Sequence, residues 1–129
     1  MQIKLTSIYV DSHDKALKFY VDVLGFQKQA DFSNNGYRWL TVTSPEDPDG
    51  PELHLELNAN PAAKTYQEAM FAQRQPALLL HTKDVKADYE RIKAGGGEFI
   101  MPPTDVTASV IAQLNDTCGN IIQLVQLNW

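Results

Sequence analysis

The order of structural signals along this chain runs through once and then repeats. "KLTSIYVD" (residues 4–11) has the β-branched and aromatic content of a strand, with polar residues at its ends. In "SHDKALKFYVDVLG", His13, Ala16, Leu17, Tyr20, Val21 and Leu24 recur at the spacing of one helical stripe. Ser12 is placed to cap that helix, Asp14 lies in its first turn, where negative charge suits the helix dipole, and Gly25 is placed to end it. "FQKQADF", "YRWLTVTS" and "ELHLELN" then read as three strands, divided by the turn-forming segments "SNNG" and "SPEDPDGP". The second half starts again with "ALLLHT" as a strand. Its helix is "DVKADYERIKAGGG", with Asp84 at the start, Val85, Tyr89 and Ile92 as its stripe, and Gly95 to Gly97 as its stop. "EFIM", "ASVIAQLND" and "NIIQLVQL" complete a second β-α-β-β-β series, a repeat of architecture rather than of letters.

A sheet with one helix on one face leaves its other face bare. The repeat therefore predicts an α+β fold in which two βαβββ modules form curved mixed sheets around a shared cavity. Halves of about 60 residues would each bury too little surface to stand alone. The 129 residues are accordingly expected to form a single domain. Module one spans about 1–59 and module two about 75–129. Between them "NPAAKTYQEAMFAQRQP" predicts a linker helix over about 60–74, with Pro61 in its first turn and Ala62, Tyr66, Ala69, Met70 and Gln73 as its stripe.

The formal net charge of −5 argues against a nucleic-acid partner, which would want a basic stripe, and suits a cationic small molecule. No apolar run approaches the ~20 residues that span a bilayer, so no membrane partner is expected. The opening "MQIKLTSIYVD" has no signal-peptide pattern, which makes a cytoplasmic location the expectation. The single Cys118 rules out an internal disulfide and a cysteine-based zinc cage.

"PELHLELN" places Glu52, His54 and Glu56 on alternate residues, hence on one face of a strand. That is either half of a metal site or a strand with a wet face. Other candidates read as structure: His13 as a boundary residue, "EDPDGPE" as a solvated turn without the ligand spacing of a calcium loop, and Cys118 as a hairpin residue with no nearby His. "AGGGEF" follows a helix and precedes a strand, the reverse of a phosphate-binding turn.

"SIYVDSHDKALKFYVDVLGF", together with "VIAQLNDTCGNIIQLVQ", resembles the vicinal oxygen chelate superfamily. That superfamily includes glyoxalase I, extradiol dioxygenases, fosfomycin-resistance enzymes and bleomycin-resistance proteins. "NDTCGN" resembles the family's acidic turn, with Thr117 and Cys118 in place of Pro and Asp. The resemblance covers nearly the whole chain, and it implies a homodimer whose sites lie within one chain or across subunits. It also implies four metal-ligand positions. The first falls on Leu5, the second on Glu56, the third at about Ala77 and the fourth on Gln123. One ligand is kept, one is replaced by an amide and two are hydrocarbons. Open catalytic metal sites usually need three protein ligands. No metal is therefore expected; a divalent metal belongs to the alternative reading.

A displaced set of His54, Glu56 and His81 would need side chains to close about 7 Å and about 13 Å along extended strands. The expectation is a metal-free pocket. By parity with the ligand positions, Leu5, Ser7, Tyr9, His54, Glu56, Leu79, His81, Gln113, Gln123 and Val125 face it. Ligand contact is assigned to Ser7, Tyr9, Trp39, His54, Glu56, His81, Gln113 and Gln123. Parity alone leaves open whether Tyr37, Trp39 and Thr41 or Arg38, Leu40 and Val42 line the pocket. A metal-free Glu56 needs a hydrogen-bond partner or a raised pKa, and Gln123 is the expected partner. The first functional reading is a small-molecule-binding protein similar to bleomycin-resistance proteins, which sequester a drug rather than alter it. The alternative is a lyase, isomerase or dioxygenase-like enzyme in which Glu56 is the catalytic residue.

Overall fold

The computed structural model describes residues 1–129. Module one contains β1 (Leu5–Val10), α1 (His13–Leu17, continuing as a π-helical stretch over Lys18–Val23), β2 (Gln27–Asn34), β3 (Tyr37–Thr43) and β4 (Glu52–Leu57). α2 (Pro61–Ala72) connects it to β5 (Leu78–His81), α3 (Val85–Ala94), β6 (Glu98–Asp105), β7 (Ser109–Asn115) and β8 (Ile121–Leu127). The strands form two four-stranded mixed sheets, ordered β1-β4-β3-β2 and β5-β8-β7-β6. In each, the first strand pairs parallel with the last and the rest pair antiparallel.

The local signals are honoured at the ends of elements. The Ser12 hydroxyl accepts from the Lys15 N–H and the Asp84 carboxylate from the Ala87 N–H, each satisfying a free amide of a first helical turn. Asn35 and Gly36 both take positive φ, 52° and 80°, the conformation of a two-residue hairpin turn. β6 runs on through Pro102 and Pro103, which is tolerated because it is an edge strand with irregular register.

Two helical stripes differ from the periodic reading. In the first module's helix and its C-cap the buried residues are Ala16, Phe19, Tyr20 and Leu24. Phe19, three residues after Ala16, takes the buried place on this face, Leu17 and Val21 are only partly buried, and no ion pair joins Lys18 to Asp22. α2 buries Ala63 and Gln67 and leaves Tyr66 exposed, one position off the expected stripe. The reason is polar: the Gln67 amide is consumed inside the protein.

One apolar core joins the modules. Ile8, Val10, Leu40, Val42, Leu53 and Leu55 of the first sheet and Ala112, Leu114, Ile122 and Leu124 of the second pack against Ala16, Phe19, Tyr20, Val85 and Ile92 of the helices. The helices thus lie between the sheets. Successive strand residues point to opposite faces, so the alternate set, carrying Leu5, Ser7, Tyr9, Glu56, Leu79 and His81, looks outward from each sheet. Leu5 is 51% exposed and Leu79 60%, so within one chain these faces are open.

Candidate functional site

The outward face of the first sheet carries a dense polar and aromatic cluster. β4 presents Glu52, His54 and Glu56, and Thr41 of β3 lies opposite His54 in antiparallel register. That register settles the open question about β3. Leu40 and Val42 belong to the core, while Tyr37, Trp39 and Thr41 share the face of His54. The indole of Trp39 stacks on the His54 imidazole, with centroids 4.1 Å apart and an interplanar angle of 21°. Beneath that indole, His54 is only 5% exposed.

Hydrogen bonds fix both ring nitrogens of His54. Ser7 Oγ lies 3.3 Å from Nδ1, and Nε2 lies 3.2 Å from both Tyr37 OH and Glu56 Oε2. The Tyr37 hydroxyl donates its only proton to Glu56 Oε2 at 2.7 Å. Nε2 therefore faces two acceptor oxygens and must itself carry the proton, so Nδ1 accepts from Ser7. The order of donation is Ser7 to His54, His54 to Tyr37, and Tyr37 to Glu56, whose Oε2 also lies 3.2 Å from His54 Nε2.

This environment moves the titrations apart. Burial holds the His54 pKa below its ordinary value, and the nearby Glu56 charge opposes that only in part. The bond to Glu56 pushes the Tyr37 phenol up, with burial adding to it. For His54 the folded chain resists the proton that the unfolded chain takes up near its ordinary pKa of about 6.5. Stability carried by neutral His54 is therefore present above that pH and lost as pH falls through it. Thermal melts are expected to show a falling midpoint on acidification from about pH 7.5 to about 5.5, with a shallower slope in His54→Gln. Parallel slopes in the two proteins would contradict this.

Glu56 is thus hydrogen-bonded by Tyr37, with His54 Nε2 3.2 Å from the same oxygen, and the expected Gln123 partnership does not form within the chain. Gln123 stands on the other sheet, where its Oε1 accepts from Gln113 Nε2 at 2.8 Å. His81 sits at the end of β5, on the second sheet's outward face, and does not meet His54 or Glu56. No three His, Cys, Asp or Glu side chains lie close enough together to hold a metal ion. The family's four positions, occupied by Leu5, Glu56, Ala77 and Gln123, supply one strong oxygen donor and one amide. This donor set does not fit a divalent ion with three protein ligands.

A second polar cluster ties the modules together behind the first. Asp116 accepts from Tyr20 OH at 2.7 Å, from Asn120 Nδ2 at 2.7 Å, and from the N–H groups of Cys118 at 2.7 Å and Asn120 at 2.9 Å. Gln67 Nε2 lies within hydrogen-bond reach of the Tyr9 carbonyl at 3.0 Å, the Cys118 carbonyl at 3.1 Å and Asn120 Oδ1 at 3.1 Å. Gly119, at φ 100°, lets this turn approach; a Cβ there would sit 2.8 Å from Gln67 Nε2. Cys118 is fully buried, and burial with the neighbouring Asp116 raises its pKa to about 12, so it offers no thiolate. His13, the boundary residue, places Nε2 3.1 Å from the Leu55 carbonyl.

Tyr37 and the Gln67–Asp116–Asn120 cluster escape sequence reasoning. Tyr37 shares parity with Trp39, which was the available signal. The cluster joins residues as far as 111 positions apart, and no local pattern announces it.

Comparison with known proteins agrees with this architecture. The chain is 45% identical over 126 residues to the protein YurT of Bacillus subtilis (strain 168), covering 98% of this chain and 99% of that one. The crystal structure of UcmS2 superposes with a TM-score of 0.84 at 25% identity, covering 97% of each chain. That of TnmS3, an antibiotic binding protein from Streptomyces sp. CB03234, gives 0.79 at 29% identity, covering 99% of this chain and 97% of that one. Residues 2–124 match the family described as the Glyoxalase/Bleomycin resistance protein/Dioxygenase superfamily, and the chain belongs to it.

Proposed function

We infer that this protein binds a small molecule on the outward face of its first sheet, without a divalent metal. The observation that carries this reading is the state of Glu56. Its Oε2 accepts from Tyr37 and lies 3.2 Å from His54 Nε2, while the family's other metal positions are Leu5, Ala77 and Gln123. The carboxylate is left as a fixed negative charge framed by Tyr37 and Trp39. Such a frame suits a planar, cationic guest that stacks and donates to Glu56. The likeness to an antibiotic binding protein supports the same class of ligand.

The open faces support a homodimer. β1 and β5 are edge strands, and they carry Leu5, Tyr9 and Leu79 exposed. Exposed apolar side chains clustered on one face favour covering by another copy. In such a dimer the first sheet of one chain and the second sheet of its partner would close a cavity, adding Gln113, Gln123 and His81 to Ser7, Tyr9, Trp39, His54 and Glu56. This is also where the family's shared cavity would form. We place the protein in the cytoplasm. The alternative is a lyase, isomerase or dioxygenase-like enzyme, and it is favoured by one feature: the Tyr37–Glu56 bond is an acid–base pair.

A fluorescence titration tests the binding reading. In Trp129→Phe, Trp39 is the sole tryptophan. Aminoacridine, a planar cation, is expected to quench it saturably, and Glu56→Gln should weaken binding about tenfold, the scale of a charge-assisted hydrogen bond. Absence of saturable quenching, or equal affinity in Glu56→Gln, would overturn the reading.

A further inference from the structure

The hydrogen-bond order around His54 has a chemical use that ligand holding does not require. Ser7 is exposed on the outward face, its Oγ 3.3 Å from His54 Nδ1. His54 is buried, its Nε2 is hydrogen-bonded to Tyr37 OH, and Glu56 Oε2 lies 3.2 Å from Nε2. Reach between nucleophile and base, and between base and a carboxylate that orients it, is the geometric test for an activated hydroxyl. The tautomer is the required one. Because Tyr37 gives its proton to Glu56, His54 carries its proton on Nε2 and offers its lone pair to Ser7. The nucleophile stands outermost, the base lies beneath the Trp39 indole, and the carboxylate, its side chain 30% exposed, lies on the far side of the ring. The Ser7 backbone adds a donor. Lys4 and Val10 carbonyls accept from β4, so strand alternation turns the Ser7 N–H to the unpaired edge of β1. An N–H beside the attacking oxygen is where an oxyanion is stabilised.

We propose that Ser7, His54 and Glu56 form a nucleophilic relay that accepts an acyl group from carboxylic esters. Ser7 Oγ bonds to the ester carbonyl carbon as its proton passes to His54 Nδ1. Glu56, 3.2 Å from Nε2, stabilises the imidazolium by its charge, with Tyr37 OH bridging the two. The tetrahedral adduct collapses by breaking the bond to the leaving oxygen, which takes the proton from His54. Water then repeats the sequence on acyl-Ser7, releasing the acid and restoring the hydroxyl. No oxidant, reductant or metal is involved. The inference rests on the reading of this face as the ligand face, and it names an ester as the substrate class.

The probe is p-nitrophenyl acetate, with intact-mass and peptide mapping of the acetylated protein alongside p-nitrophenolate release. Acetyl on Ser7 is expected in the natural protein and absent in Ser7→Ala. Ser7→Cys, which keeps a nucleophile, should acetylate at the thiol. His54→Gln should slow acetylation by about 100-fold or more, the scale of a lost general base. Acetyl found only elsewhere, or Ser7 acetylation at an unchanged rate in His54→Gln, would overturn the relay. The aminoacridine titration separates the two readings. Saturable binding without Ser7 acetylation overturns the relay and leaves binding standing. Ser7 acetylation without aminoacridine binding does the reverse.

Discussion

Asp116→Ala is expected to lower the free energy of unfolding by about 3–5 kcal/mol, the range for breaking a buried charged network. The carboxylate is fully buried and is held by Tyr20, Asn120 and the Cys118 and Asn120 amides. Truncating it leaves those donors dry and unpaired, each at a desolvation cost of about 1–3 kcal/mol, offset where the turn opens to water. Burial raises the Asp116 pKa even though those hydrogen bonds act to lower it, so the net charge is held against a solvation penalty. Tyr20 comes from module one and Asp116 from module two, so the loss also loosens the seam between sheets. Tyr20→Phe removes one donor and should cost less, about 1–2 kcal/mol. Urea unfolding of both variants checks the order. Equal destabilisation by the two, or an Asp116→Ala effect below about 1 kcal/mol, would show that the cluster does not bind the modules together.

Trp39→Ala is expected to act on ligand affinity and on His54 at once. Removing the indole deletes the stacking surface and should weaken aminoacridine binding about 30-fold or more, the scale of an aromatic hot spot. Calorimetry reads this without the lost fluorophore. The same change admits water to the His54 ring. Burial is the main cause of its lowered pKa, so the pKa should rise, while the Glu56 charge continues to favour the imidazolium. An NMR titration of the imidazole C–H signals would follow the shift. An unchanged midpoint would mean that some group other than Trp39 keeps the ring dry.

Much of the framework is legible in the letters because it rests on short-range physics. The caps at Ser12 and Asp84, the Asn35-Gly36 turn and the alternation of "ELHLEL" each involve residues within a few positions of one another. The doubled β-α-β-β-β order follows from those signals alone. The departures also have local causes. The first helix turns the Phe19 side of its face to the core, at i+3 from Ala16, and leaves Leu17 and Val21 only partly buried. The α2 stripe was read from apolarity, whereas that helix docks through Gln67, a polar residue whose value depends on partners from three other segments.

The sequence by itself determined which residue types could be near an axis of the fold. It placed Glu56 on a strand face with His54, removed Leu5 and Ala77 as ligands, and assigned Ser7 and Tyr9 to the same cavity-facing set. Only the tertiary structure decided how Glu56 is satisfied. Its partner is Tyr37, 19 positions away, rather than Gln123, because the β3–β4 register puts Tyr37 and Trp39 on the face of His54. Pairing register is a property of two strands together, and a one-residue slip would send Tyr37 and Trp39 into the core and bring Leu40 out. The direction of the faces was also a tertiary decision. Both sheets bury their aliphatic sides against one helical layer, which turns the sides bearing Glu56 and Gln123 outward and apart within a single chain.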